Sequence, residues 1–212
     1  MERFIMQDLI AWKNREDRKP LILLGARQVG KTYILKEFGQ REFENVAYIN
    51  CDNNAMVKDL FATDYNIERI LLTIGAITGV NIQAGKTLII MDEIQELHRG
   101  LASLKYFCEE AREYHVAVAG SLLGLTLHQG ESYPVGKVNT LEMFPMTYEE
   151  FLLARGFKQR VDLLQSGMWD VVNSLRTLYI QHLREYYLVG GMPEAVKKFI
   201  DTNDANAVRE VQ

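Results

Sequence analysis

Apolar and polar positions fall into blocks along this chain, and each block has the length and period of one structural element. Residues 2–14 carry Phe4, Ile5, Leu9 and Trp12 at helical spacing with Asp8 and Lys13 off that face, which predicts a helix. A polar break at residues 17–20 precedes Leu21, Ile22, Leu23 and Leu24, a four-residue apolar run of the kind that forms a buried strand. Residues 33–38 (YILKEF) continue as an amphipathic helix, and residues 46–50 (VAYIN) read as a second strand. The stretch 55–84 has a helical pattern with polar interruptions and glycines at 75 and 79. Residues 88–93 (LIIMDE) form an apolar run that ends in two acids, and 115–120 (HVAVAG) form another. Between them Leu101, Leu104, Phe107, Cys108 and Ala111 mark one helix face. Residues 138–143 suit a fifth strand.

Strands that are apolar on both faces and alternate with helices predict a parallel sheet. Such a doubly wound α/β sheet carries its ligand at the C-terminal ends of the strands. Beyond Pro145 the pattern turns helical. Thr147-Tyr148-Glu149-Glu150 has the form of a capping box, residues 170–189 are helix-like, and Pro193 suits the first turn of a helix bearing Val196, Phe199 and Ile200. The expected organisation is an α/β core over residues 1–145 and a helical lid over 146–212. Val208 and Val211 still keep a helical rhythm at the end of the sequence, so a further domain beyond it is expected.

Composition narrows the class. The chain has 212 residues, 48% hydrophobic and 25% charged, with a net charge of −4 and a pI near 5.7. That balance is globular and argues against a broad nucleic-acid face. Cys51 and Cys108 stand alone, and four scattered histidines give no zinc spacing. No signal-peptide or membrane-length apolar run is present, so the expected location is the cytoplasm, with no membrane partner.

The chemistry sits between the first strand and the second helix. Residues 25–32, GARQVGKT, fit G-x-x-x-x-G-K-[ST] at every position, between a strand and a helix. Gly25 and Gly30 let the backbone curl so that N–H groups converge on phosphate, and the following helix adds its positive N-terminal end. Lys31 is placed to reach the β- and γ-phosphates, and the Thr32 hydroxyl to ligate Mg²⁺. The nucleotide-contacting stretch is therefore Gly25, Ala26, Arg27, Gln28, Val29, Gly30, Lys31, Thr32 and Tyr33. A second GKT at residues 85–87 has five residues between its glycines and precedes a strand, which makes it an ordinary turn. Asp92 and Glu93 end an apolar strand, where one acid holds Mg²⁺ and its neighbour orients the attacking water. Asp92 is assigned to the metal and Glu93 to the water. This pairing points to ATP rather than to a GTPase that positions water with a glutamine.

Five stretches in order, GARQVGKT, LIIMDEIQ, AGSLLG, YPVGKVNTLEMFPMTYEEFL and YYLVGGMPEAV, resemble the AAA+-type ATP-binding proteins of bacteria and archaea. In that family an ATPase module precedes a C-terminal domain of nuclease-like fold. The resemblance implies a P-loop NTPase with a five-stranded parallel sheet in the order 5-1-4-3-2 and a lid after it, and that the chain is truncated to the ATPase module. It implies a γ-phosphate sensor at Ser121, against the plainer reading of a turn serine. It also implies an adenine contact at Pro193 in Gly191-Met192-Pro193, against a simple helix start. Related ring-forming ATPases complete a neighbour's site with an arginine before the fifth strand. Here residues 122–138 hold no arginine, and Lys137 is a loop cation or a phosphate contact. The implied function is a Mg²⁺-dependent ATPase acting as a switch on a downstream domain or protein partner. A DNA-associated motor or loader and a non-hydrolysing nucleotide-binding scaffold are the alternatives.

Overall fold

The computed structural model describes residues 1–52, 54–61, 64–97, 99–120 and 134–209. The chain divides into two compact units, residues 5–143 and residues 1–4 with 144–212.

The first unit is an α/β layer structure. Its elements run α1 (Ile5–Lys13), β1 (Leu21–Leu24), α2 (Lys31–Glu42), β2 (Asn45–Asn50), α3 (Ile67–Thr78), β3 (Thr87–Asp92), a 3₁₀ turn (Ile94–Glu96), α4 (Gly100–Glu110), β4 (His115–Ala119) and β5 (Asn139–Glu142). The five strands form one sheet in the order β2-β3-β4-β1-β5, with every pairing parallel. This is the expected order read from the other edge. Burial explains why the central strands were legible. All residues of β3 and β4 are buried, so both faces need apolar side chains, whereas edge strand β5 alternates between half-buried and exposed. Ile22, Ile49, Ile89, Met91, Val116 and Val118 line one core face and meet Ile70 and Ile74 of α3 and Leu104 and Phe107 of α4. α2, with Ile34, Leu35 and Phe38 buried, packs on β2, β3 and β4. The register puts Asp92 level with Asn50 and Ala119, so the acids leave the sheet at its C-terminal edge.

Several sequence expectations need correction. The helix expected over 55–84 is confined to α3; Gly79 adopts the left-handed conformation and ends it. Glu93 lies outside β3. Phe4, expected on the apolar face of the first helix, packs instead with the helical unit. The 85–87 GKT is a turn into β3, with Gly85 left-handed, as its spacing suggested.

The second unit contains α5 (Tyr148–Ala154), α6 (Lys158–Ser166), α7 (Trp169–Ser174), α8 (Arg176–Val189), α9 (Pro193–Thr202) and α10 (Ala205–Val208). The capping box is present: Thr147 and Glu150 satisfy each other's backbone N–H groups. α6 was not anticipated, and the 170–189 stretch is two helices that meet at Leu175. Met146, Phe151, Val189, Val196 and Phe199 form one apolar cluster. Leu152, Val161 and Tyr179 form another, with Phe4 against it. Ile200, expected beside Val196 and Phe199, is 37% exposed.

Candidate functional site

The loop after β1 is shaped by three backbone requirements. Gly25 has φ +150°, and a Cβ there would lie 2.3 Å from the Met143 carbonyl oxygen, so only glycine lets the loop leave β1 beside the end of β5. Gln28 (φ 64°) and Gly30 (φ 96°) are both left-handed, the conformation that builds anion-binding concavities. Val29 is fully buried and anchors the loop, while Ala26, Arg27 and Gln28 are exposed. α2 then begins at Lys31, its first turn closed by the Ile34 N–H on the Gly30 carbonyl at 3.0 Å.

Lys31 is 7% exposed, and its Nζ donates to the carbonyl oxygens of Gly25 at 2.8 Å and Ala26 at 2.7 Å. The ammonium is thus folded back over the loop that bears it. Burial lowers the pKa of Lys31, opposed by the charges of Glu93 and Asp92. The Thr32 hydroxyl donates to Asp92 Oδ2 at 2.5 Å. This contact joins the first turn of α2 to the C-terminal end of β3. Tyr33 is exposed.

Asp92 is 5% exposed and satisfied three times over. Besides Thr32, its carboxylate accepts from the Tyr48 hydroxyl at 3.3 Å and from the Glu93 N–H at 3.2 Å. Burial first, and the Asp92 charge second, push the Tyr48 phenol up to about 12, so Tyr48 stays a donor. The Lys36 ammonium sits 3.4 Å from the centre of the Tyr48 ring. Cys51 lies next to this cluster. Burial and the two acids raise its thiol to about 12, which leaves it inert as a nucleophile. Glu93 takes a left-handed conformation (φ 52°, ψ 45°) that turns it out of the strand, and the Gln95 amide donates to its Oε2 at 2.5 Å.

The structure therefore brings Gly25, Gly30, Lys31, Thr32, Asp92 and Glu93 to one edge of the sheet. Ser121 lies outside the described residues. Pro193 is the first residue of α9 in the helical unit, which meets the helix-start expectation. Gly191 is accounted for locally too, since a Cβ there would sit 2.4 Å from the Met146 carbonyl oxygen. Lys137 forms a surface ion pair with Glu109 at 2.8 Å. The sequence reading missed Tyr48 and Gln95. Tyr48 was detectable only as a polar-tipped residue two positions before the end of β2, and Gln95 was visible in LIIMDEIQ without a role.

A family model described as an AAA domain matches residues 17–152. The chain belongs to this AAA domain family. It is a P-loop ATPase module of AAA+ type, and the matched span runs from the segment before β1 into α5. This AAA domain is similar to the structure of Caenorhabditis elegans PCH-2, at 10% identity and a TM-score of 0.55, covering 98% of this chain and 67% of that one. That likeness is one of fold. The chain is also similar to the Thermotoga maritima RuvB Holliday junction branch migration motor (18% identity, TM-score 0.46, 78% of this chain and 52% of that one). A third similar structure is the Aeropyrum pernix ORC2 protein in its ADP form (16% identity, TM-score 0.48, 97% of this chain and 66% of that one). The chain thus spans about half the length of RuvB and two thirds of the other two. A comparison with curated proteins finds no match. Among the described residues no helix is long and apolar enough to cross a membrane.

Proposed function

We propose that this AAA domain binds ATP with Mg²⁺ at residues 25–33 and hydrolyses it, using the nucleotide state as a switch for a downstream domain or protein partner. The observation that carries the reading is the 2.5 Å bond between Thr32 and Asp92, which unites the phosphate loop with the acidic strand end. The donor set supports the metal. A hydroxyl and a carboxylate, both oxygen ligands, suit Mg²⁺, which completes its shell with phosphate oxygens and water. Bound Mg²⁺ would neutralise phosphate charge and orient the substrate.

The chain's own residues do the rest. Left-handed backbone at Gln28 and Gly30 curls the loop around phosphate oxygens, and Lys31 exchanges its two carbonyl partners for them. Glu93 holds a water against the γ-phosphorus and takes its proton as the new P–O bond forms. The bond from the γ-phosphorus to the bridging oxygen breaks, and ADP leaves with the electron pair. Ser121 and Pro193 complete the reading as γ-phosphate sensor and adenine contact. The division into two compact units supports the switch, with residues 146–212 as the lid.

Calorimetric titration of ATP–Mg²⁺ tests the site. Lys31→Ala should weaken binding about 10- to 100-fold, as expected for losing a charge-assisted bond, and leave the circular dichroism unchanged. Equal affinity would overturn the assignment. Hydrogen exchange with and without ATP–Mg²⁺ tests the switch: protection of residues 25–32 alone, without residues 186–199, would remove the lid from the reading. Turnover that appears only with DNA would point to the motor reading, and binding without turnover in every condition to the scaffold.

A further inference from the structure

Glu93 owes its position to a short, rigid turn. Its left-handed backbone is followed by the 3₁₀ turn Ile94–Glu96, closed by Glu96 N–H on the Glu93 carbonyl at 3.0 Å and by Leu97 N–H on the Ile94 carbonyl at 3.1 Å. Ile94 and Leu97 are buried, so the turn is pinned from below. It is pinned from the side by α4. A Cβ on Gly100 would lie 2.9 Å from the Ile94 carbonyl oxygen and 3.0 Å from Leu97 Cβ, a closeness that only glycine allows. From this turn Gln95 reaches back toward the acid. Its amide nitrogen donates to Glu93 Oε2 at 2.5 Å, while its Oε1 is buried without a hydrogen-bond partner. The orientation of the amide is set by the carboxylate, because the reverse would face oxygen to oxygen.

We propose that Gln95 is a positioning residue for Glu93, fixing the rotamer in which the carboxylate meets the attacking water. The inference rests on the reading of Glu93 as the water-orienting acid. A carboxylate free to rotate would sample unproductive directions, so the effect of Gln95 falls on the chemical step and not on nucleotide binding.

The test compares the parent with Gln95→Met, which keeps length and loses the amide, and Gln95→Leu, which keeps an uncharged side chain of similar bulk with no hydrogen-bonding group. Each should lower kcat about tenfold, in the range of one lost hydrogen bond to a charged group, with KM and the affinity for ATP–Mg²⁺ unchanged. In a Glu93→Gln background neither change should lower kcat further, since Gln95 acts through Glu93. An activity-independent reading comes from the Gln95 side-chain amide in ¹⁵N–¹H spectra, which should be displaced from free-amide positions and return to them in Glu93→Ala. Parental kcat in both Gln95 variants, a joint fall of kcat and ATP affinity, or an amide resonance indifferent to Glu93→Ala would each overturn the inference. If Glu93→Gln itself turns over as fast as the parent, the reading of Glu93 falls and takes the purpose of Gln95 with it. An effective Glu93→Gln beside silent Gln95 variants sinks the inference alone. Should the parent show no turnover, the amide resonance decides.

Discussion

The two units place their buried charges in opposite ways. In the α/β unit the buried charged or histidine side chains described are Lys31, Asp92 and His115. Lys31 and Asp92 gather at the C-terminal edge of the sheet, where Lys31 is held by carbonyls and Asp92 by hydroxyls, partners that a phosphate or a cation can replace. In the helical unit the corresponding groups are Arg3, Glu150 and His182, and they are consumed internally. Arg3 pairs with Glu150 at 3.1 Å, and Glu150 also accepts from the Phe4 N–H at 2.7 Å and the Thr147 N–H at 2.9 Å. His182 lies between Arg160 and Glu185, and Arg155 donates to the same Glu185 oxygen at 2.7 Å. The Arg155 guanidinium also approaches the rings of Phe151, Phe157 and Phe199.

The difference follows from how each unit buries surface. A sheet buried on both faces satisfies its backbone by pairing and its core by apolar contact, so its polar side chains are free for chemistry. The helical unit holds its ion pairs beside its apolar clusters. A buried pair is weak evidence for net stability but costly to break, because it leaves a charge stranded.

The sharpest way to separate the two roles is Glu93→Gln. The amide is nearly the shape of the carboxylate, so ATP–Mg²⁺ should still bind while turnover falls about 10²- to 10⁴-fold. Single-turnover assays at saturating ATP read it. A variant as fast as the parent would mean that the α/β unit's polar edge does not perform the chemistry assigned to it.

Glu150→Ala should act on stability and not on the site. It removes the carboxylate that neutralises buried Arg3 and the acceptor for two N–H groups, a loss of about 3–5 kcal/mol by the cost of breaking a buried pair. Denaturant unfolding can follow the units separately. In a Trp169→Phe background, fluorescence reports buried Trp12 of α1, and circular dichroism reports all helices. The helical transition should move to lower denaturant and the Trp12 transition stay. If both move together, the units unfold as one and the contrast fails.

The smallest effect concerns His115, the buried ionisable group at the far end of β4 from the site. Burial, then the nearby Arg18 and Lys13 charges, lower its pKa from 6.5 to about 4, and its Nδ1 has no hydrogen-bond partner. The folded-state value is depressed, so the unfolded chain binds the extra proton between these two values. Stability is full well above pH 6.5 and declines as pH falls toward 4, by about 2–3 kcal/mol at pH 4.5. His115→Phe, facing Trp12 and Phe43 edge-on, should flatten that part of the pH dependence of the unfolding free energy. An unchanged slope would show that His115 is not the group responsible.

Much of this was legible locally. The Leu21–Leu24 run, the glycines and lysine of the loop, the apolar β3 and β4, the Thr147–Glu150 box and Pro193 each declare themselves within a few residues, because steric and hydrogen-bonding rules act at that range. Composition and pattern alone were enough for a parallel α/β sheet with a phosphate loop and an acidic strand end. Strand order was implied by family resemblance and not by pattern. Parallel strands are joined by crossovers, so nothing in the local periodicity says which strand lies beside which. Only the tertiary structure could add Tyr48 to Asp92, since a strand's period says which face a side chain takes but not what waits there. Gln95 stood beside Glu93 in the sequence, yet its reach depends on a left-handed Glu93 and on Gly100 packing against the turn. Met1 to Phe4 belong with the helical unit because Arg3 finds its carboxylate in Glu150, a pairing across nearly 150 residues that local pattern cannot contain.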